Sequence, residues 1–581
     1  MAVNRQGVFR RTVDNEEEDR EQIFLNVRDQ KWQEWPNEAG FDGLDEHVGP
    51  IALDVQGHIP SWAAGSLFRT GPGQSSVENT SRGKHYVSHW FDGFAHTHRF
   101  DIRPLPSGSC AVYYSSRRQS EKFVEQIKEK GWRCSMSFAQ RHDPCVGLFS
   151  KVMSAFHKTS NNNVVVELNV PIETAKVKTK DTQVAGHMID VENAFVLTDS
   201  DTLLEIDPNT LEPLDYRAQS SFHQELTGNM GSAHSQRDFE TGDLFNFNLA
   251  FGRYPTYRVF RINAATKTTD ILASICFPDI KPAYIHSFFL TANYIVLCIP
   301  STHFAWNGIK IPYTGNVVDA IEPFDESKVS HWVVVDRRSN KGVVARFKTQ
   351  AGFFFHSVNA FEEVAKDGGE GAQTYLNLEC LWYDTPDIIR SFYYDILLDR
   401  HGATREYWLD NEGCKKCQGR LTRYRFRMPS STYRYGNDIP SAEQVFSVPN
   451  PHAGELPTIN KAYATRPHTY VYATATRSLS TMTDCIVKTD VRNGNVLIWG
   501  APNGHTPSEV IFIARPEPWD EDDGVLLSVV LDGHQRKSYL LCLDARSFEE
   551  MGRAEVGFAI GIGFHGVHTS EELQARTFTD E

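Results

Sequence analysis

Glu205-Ile206-Asp207-Pro208-Asn209-Thr210 ends one short apolar run and turns the chain toward the next. Asp and Asn bond their own backbone and Pro presets its dihedral, so this is a tight turn with a mechanism. The cadence returns at Lys488-Thr489-Asp490-Val491-Arg492-Asn493-Gly494. Short runs rich in Val, Ile, Tyr and Phe surround such turns: Ala194-Phe195-Val196-Leu197, Tyr294-Ile295-Val296-Leu297, Trp332-Val333-Val334-Val335 and Val525-Leu526-Leu527-Ser528-Val529-Val530-Leu531. These are strand signals. The texture begins at Ile51 and lasts almost to the C-terminal end, which makes an all-β chain too long for one sandwich. Four-stranded blades repeated around an axis bury each sheet between its neighbours and leave only short edges, so a β-propeller is expected. No strong internal repeat fixes the number of blades.

Composition sets the frame. The 581 residues are 40% hydrophobic, 23% charged and 12% aromatic, enough for a large core. The net charge of −15 lacks the basic footprint that nucleic acid demands. The 10 cysteines show no paired framework, and the opening is polar and acidic rather than a secretory run. These point to free thiols in a reducing, cytoplasmic setting. Cys414-Lys415-Lys416-Cys417 has no second pair at zinc-site spacing and reads as a loop feature. No apolar stretch is long enough to span a membrane. Residues 1–48 read as an acidic, weakly ordered arm in which Glu16-Glu17-Glu18-Asp19 is a solvated charge run, and 49–581 as one propeller domain.

One segment breaks the β texture. After Asp143-Pro144-Cys145, the residues Leu148, Phe149, Val152, Met153 and Phe156 fall on one face at helical spacing. A helix packed on the propeller satisfies this pattern. So does an apolar helix presented to a membrane surface, with Lys151 and Lys158 at the headgroups.

Four histidines share an unusual context. They are His234 after Gly231-Ser232-Ala233, His286 after Tyr284-Ile285, His356 after Phe353-Phe354-Phe355, and His565 within Gly563-Phe564-His565-Gly566. Each sits among small or apolar residues, far apart along the chain. A buried imidazole is neutral, and neutral imidazole is the commonest metal ligand. In a propeller, distant segments can meet on the axis. The chain has 22 histidines, however, and each of the four also fits a core position bonded to a backbone carbonyl.

Further motifs add to this pattern: Gly57-His58-Ile59-Pro60, Gly65-Ser66-Leu67-Phe68-Arg69-Thr70-Gly71-Pro72-Gly73, His89-Trp90-Phe91-Asp92-Gly93, Ser232-Ala233-His234, Phe355-His356-Ser357-Val358-Asn359-Ala360-Phe361-Glu362, Glu455-Leu456-Pro457-Thr458-Ile459-Asn460, Pro507-Ser508-Glu509, Glu521-Asp522-Asp523-Gly524-Val525-Leu526 and Phe564-His565-Gly566. In this order, from about Gly49 to His568, the chain resembles the carotenoid cleavage oxygenases. The resemblance implies a seven-bladed propeller, with short helices and loops capping one face. It implies Fe(2+) held by His234, His286, His356 and His565, and carboxylates behind three of those imidazoles. Glu455 and Glu509 match two carboxylate positions. The third falls at Asp199, where many relatives carry the longer glutamate. The implied reaction splits a C=C bond of a carotenoid or apocarotenoid with O₂ into two carbonyl products. The protein would position one double bond of a lipophilic polyene and exclude water. Arg141-His142-Asp143-Pro144-Cys145 and the apolar segment after it are similar to the carotenoid and retinoid branch and to fungal torulene-cleaving enzymes, with peripheral contact to a membrane. A stilbene cleaver, a retinoid isomerase-like enzyme and an inactive propeller are the alternatives, since fold does not fix reaction.

Overall fold

Strands that are apolar on both faces need cover on both faces, and the fold supplies it. In one antiparallel pair Ile295 faces Val335 and Leu297 faces Val333, all buried. Trp332 stacks on Phe347 of the next strand with ring centroids 5.3 Å apart, and Phe347 stacks on Phe426 of the neighbouring sheet at 4.2 Å. Such an aromatic seam joins neighbouring sheets, and truncating one buried Trp or Phe to Ala typically costs about 3–5 kcal/mol. The turns behave as their residues dictate. Asp207 Oδ1 accepts the backbone N–H groups of Asn209 at 2.7 Å and Thr210 at 3.0 Å, and Gly494 takes φ +73° after Asp490.

The structure, a computed structural model, describes residues 2–133, 135–141, 161–174, 191–367, 371–429 and 439–569. Their strands form seven sheets of four or five strands and one hairpin, Ser76–Thr80 with Gly83–Tyr86. The seven sheets are the blades of a β-propeller. Written from the axis outward, blade I is Gly566–His568, Gly65–Gln74, Phe94–Pro104, Cys110–Arg118 and Ile51–Ala52. Blade II is Val165–Leu168, Ala194–Leu197, Thr202–Ile206 and Pro213–Ala218. Blade III is Gln236–Arg237, Leu244–Ala250, Thr256–Ile262 and Thr269–Ile275; blade IV is Phe289–Leu290, Tyr294–Ile299, Val329–Asp336 and Val343–Gln350. Blade V is Phe353–Asp367, Gly371–Tyr383, Arg420–Arg427 and Glu443–Pro449. Blade VI is Glu455–Thr458, Tyr470–Ala475, Cys485–Asp490, Val496–Gly500 and Gly7–Arg11. Blade VII is His505–Ala514, Gly524–Asp532, Lys537–Asp544, Glu550–Glu555 and Asp54–Gly57.

The ring is closed by exchange between the ends of the chain. The last strand, Gly566–His568, completes blade I, and Asp54–Gly57 edges blade VII. The closure is tight: a Cβ on Gly71 would sit 2.5 Å from Gly563 Cα. Short helical turns inserted within blades IV and V, including Ala305–Gly308, Ile388–Ser391 and Gly413–Lys416, form a cap. The cysteines of the described residues are free thiols.

The arm departs from the sequence expectation of weak order over 1–48. Gly7–Arg11 pairs with Val496–Gly500, and helix α1 (Glu16–Arg28) packs behind it. The acidic run is the first turn of α1, where negative charge suits the helix N-terminus. Asp19 is not solvated but buried, accepting from Arg11 Nε at 2.8 Å and facing His452 Nε2 at 2.8 Å. The apolar segment holding Leu148, Phe149, Val152, Met153 and Phe156 lies outside the described residues.

Candidate metal centre

Every blade sends one polar side chain to the axis. His565 precedes the inner strand of blade I, His234 that of blade III and His286 that of blade IV, while His356 lies on the inner strand of blade V. Asp199 follows the second strand of blade II, Glu455 opens the inner strand of blade VI, and Glu509 lies on that of blade VII. The four histidines offer one ligand atom each, all within 4.8 Å of one another. Strand ends and inner strands are rigid supports, so this convergence is built into the backbone.

Three imidazoles are backed by carboxylates. His286 Nδ1 lies 2.7 Å from Asp199 Oδ2, His356 Nδ1 2.6 Å from Glu455 Oε2, and His565 Nδ1 2.7 Å from Glu509 Oε1. The carboxylates are themselves held. Asp199 accepts from Tyr284 Oη at 2.7 Å and the Ala233 N–H at 2.9 Å; Glu455 accepts from Tyr383 Oη at 2.7 Å; Glu509 accepts from the Gly566 N–H at 2.7 Å. Such partners fix the tautomer and raise ligand basicity.

The consequence is electrostatic. With each Nδ1–H donated outward, the Nε2 atoms turn lone pairs inward. In that tautomer His356 and His565 face each other as two acceptors, Nε2 to Nε2, at 3.1 Å. Two acceptors at that distance need a positive charge. The site lacks one among its own residues: burial, followed by the neighbouring imidazoles, holds His234 well below the usual histidine range, and burial lowers His356 to about 4 against the pull of Glu455. The same deficit shows in Glu509, which burial pushes up to about 7 against the pull of Arg69. Glu455 stays below the usual carboxylate range, because His356 and the Tyr383 hydroxyl outweigh its burial. Four imidazole nitrogens around one point fit a divalent metal ion.

Two cavities meet at this cluster. One, about 1530 Å³ with its mouth included, reaches His286, His356 and His565. Its inner end is aromatic: the Phe91 ring lies 5.8 Å from Phe355, 5.6 Å from Phe392 and 5.1 Å from Phe564, and Phe355 lies 5.6 Å from His286. The other, about 1440 Å³, touches His234, His356 and His565 and is lined by polar groups such as Ser287, Ser357, Asn359 and Lys461.

Residues 40–570 match the RPE65 family model, described as retinal pigment epithelial membrane protein. The chain is 50% identical to the torulene dioxygenase of Gibberella fujikuroi over 98% of its own length and 99% of that protein. The chain belongs to the carotenoid oxygenase family. It is also 48% identical to the carotenoid dioxygenase of Neurospora crassa, over 96% of this chain and 95% of that one. The crystal structure of cobalt-substituted Synechocystis ACO matches with a TM-score of 0.67 at 20% identity, over 93% of this chain and 98% of that one, which is a likeness of fold.

Within this oxygenase fold, the seven residues singled out in the sequence all come to the axis. The shorter aspartate at position 199 still reaches His286 directly, since the turn after Ala194–Leu197 brings its Oδ2 within 2.7 Å of Nδ1. Sequence reading missed Tyr284, Tyr383 and Arg69. Tyr284 carried a signal, because a residue two before His286 in extended chain points to the same side. Tyr383 carried none; Arg69 stands within the Gly65–Gly73 motif, which gives it no role, and it is buried and donates to Ser508 beside Glu509.

Proposed function

We propose that the protein is a non-haem Fe(II) dioxygenase that cleaves one C=C bond of a carotenoid or apocarotenoid into two carbonyl products. The observation that carries this reading is the meeting of a four-histidine cluster with the aromatic end of a large apolar cavity. The similarity to the torulene dioxygenase and the carotenoid dioxygenase supports the substrate class.

His234, His286, His356 and His565 would hold the ion through Nε2. Ferrous iron bound there supplies the activation of O₂. The chain's own residues do the rest. Asp199, Glu455 and Glu509 keep three imidazoles in the tautomer that presents a lone pair to the axis. Tyr284 and Tyr383 donate to two of those carboxylates and hold them in place. Phe91, Phe355, Phe392 and Phe564 exclude water and confine a rod-like polyene, so that one double bond of many lies beside the histidines. No side chain at the cluster is placed as a nucleophile, and none is needed.

The test is to incubate iron-loaded protein with torulene, β-carotene, an apocarotenal and resveratrol, and to separate the products. Apocarotenoid aldehydes are expected, and their chain lengths identify the bond. Phenolic aldehydes alone would replace the reading with stilbene cleavage.

We infer further that the substrate is taken from a membrane surface. No helix among the described residues is long and apolar enough to cross a membrane. The cap nonetheless exposes Trp306, Ile309 and Tyr313 beside Lys310, side chains suited to a headgroup boundary. Changing Phe149 and Met153 to Glu, or Trp306 and Ile309 to Ser, should release the protein from liposomes. Cleavage of detergent-dispersed substrate should persist. Unchanged liposome binding in both variants defeats the inference.

A further inference from the structure

The arm belongs to the substrate cavity. Ile23 and Val27, one turn apart on the buried face of α1, and Trp32 after it line the same cavity that ends at His286 and His356. These three residues precede position 40, where the match to the family model begins. Part of the cavity wall is therefore contributed by a segment that precedes the matched family model, and that segment is shared with the torulene dioxygenase of Gibberella fujikuroi, which aligns over 98% of this chain.

That wall is pinned from several sides. Asp19 on α1 is bonded to Arg11 and faces His452. Asn26 Nδ2 donates to the Arg477 carbonyl at 2.7 Å, and Arg477 Nη1 donates back to the Val3 carbonyl at 3.1 Å. Trp32 Nε1 donates to Asp399 Oδ2 at 3.2 Å, tying the arm to the cap. Apolar side chains fixed in this way form a stop rather than a flexible flap: rigid walls discriminate by size, since extra atoms forced into a packed site strain it.

Resting on the proposed polyene cleavage, we propose that Ile23, Val27 and Trp32 gauge how much of the substrate lies beyond the histidines, and so set which chain lengths and end groups are accepted. They are specificity-determining residues. They touch the far end of the substrate and not the reacting bond.

The test uses the full-length, iron-loaded protein without O₂, so that binding is read apart from cleavage. Apocarotenals of graded length are titrated in detergent, following tryptophan quenching and the polyene absorption band. Val27→Phe should weaken binding of the longest aldehyde about tenfold and leave the shortest within about twofold, the size a 1–3 kcal/mol overpacking penalty allows. The double variant Ile23→Ala, Val27→Ala should act in the opposite direction, improving the longest relative to the shortest. With oxygen restored, the product pattern should shift in the same sense. If either variant folds with an unchanged melting temperature and its effect is equal across the series or absent, the arm is only structural and the inference is overturned. A wild-type protein that binds none of the aldehydes overturns the polyene reading itself, and the inference falls with it.

Discussion

Two sets of buried histidines occupy this molecule, and burial alone does not tell them apart. His89, His96 and His303 are buried, and burial lowers them to about 4, 3 and 4. His356, at about 4, is no different in that respect. The separation is in what surrounds the ring. His89 Nε2 meets the Ile389 carbonyl at 2.8 Å, the ordinary fate of a core histidine. His96 and His303 have no hydrogen-bond partner for either ring nitrogen among the described residues. The axial four converge within 4.8 Å, and three of them lean on carboxylates. A neutral imidazole becomes a candidate ligand only when its neighbours leave an unmet need for positive charge.

The comparison breaks most easily at His286. His286→Ala should abolish cleavage and lower iron content measured by metal analysis; full activity with normal iron would return His286 to the core set. Asp199→Ala should come next. Removing a carboxylate that orients a ligand typically costs about 10–100-fold in affinity or activity. Iron titration and steady-state rates would show it, and an unchanged rate would make the 2.7 Å contact incidental. Tyr284→Phe keeps the carboxylate but removes one of its donors. A hydrogen bond to a charged group contributes about 1.5–3 kcal/mol, part of which solvent or relaxation recovers. A loss of roughly three- to tenfold in kcat/KM is expected, and no loss at all would mean that the Ala233 N–H suffices.

Much of this was legible before any coordinates. Strand runs and Asp-anchored turns such as 205–210 announced a propeller, because those residues act locally. The four histidines were visible as odd polar residues in apolar settings, yet His96, between Ala95 and Thr97, looks hardly different in sequence. What separates them is spatial: Glu509 reaches His565 across 56 positions and Asp199 reaches His286 across 87. The motif resemblance supplied those pairings where residue patterns could not. The burial of Asp19 in the arm is hidden in sequence for a related reason. Four consecutive acids look solvated in isolation, but Asp19 finds its cation at Arg11 and its histidine at His452, 433 positions away.

The last effect belongs to the core set and concerns stability instead of catalysis. His96 is held near 3 by burial first, then by Arg118 and His47, whereas an unfolded histidine titrates near 6.5. Above pH 6.5 both states are neutral and the residue contributes no pH dependence. As pH falls below 6.5 the unfolded chain takes up a proton that the folded chain refuses until about pH 3. The unfolded state then binds more protons, so stability drains away through that window, by up to about 1.4 kcal/mol per pH unit. Between pH 7 and pH 5 this one residue should cost about 2 kcal/mol. His96→Leu removes the titration without breaking a hydrogen bond, since neither ring nitrogen has a partner among the described residues. Urea midpoints at pH 7 and pH 5 should therefore fall less in the variant than in the parent, with iron content and activity at pH 7 unchanged. An equal fall in both would mean that His96 reaches solvent or a hidden partner in the folded state. A loss of iron would mean that it belongs with the axial four after all.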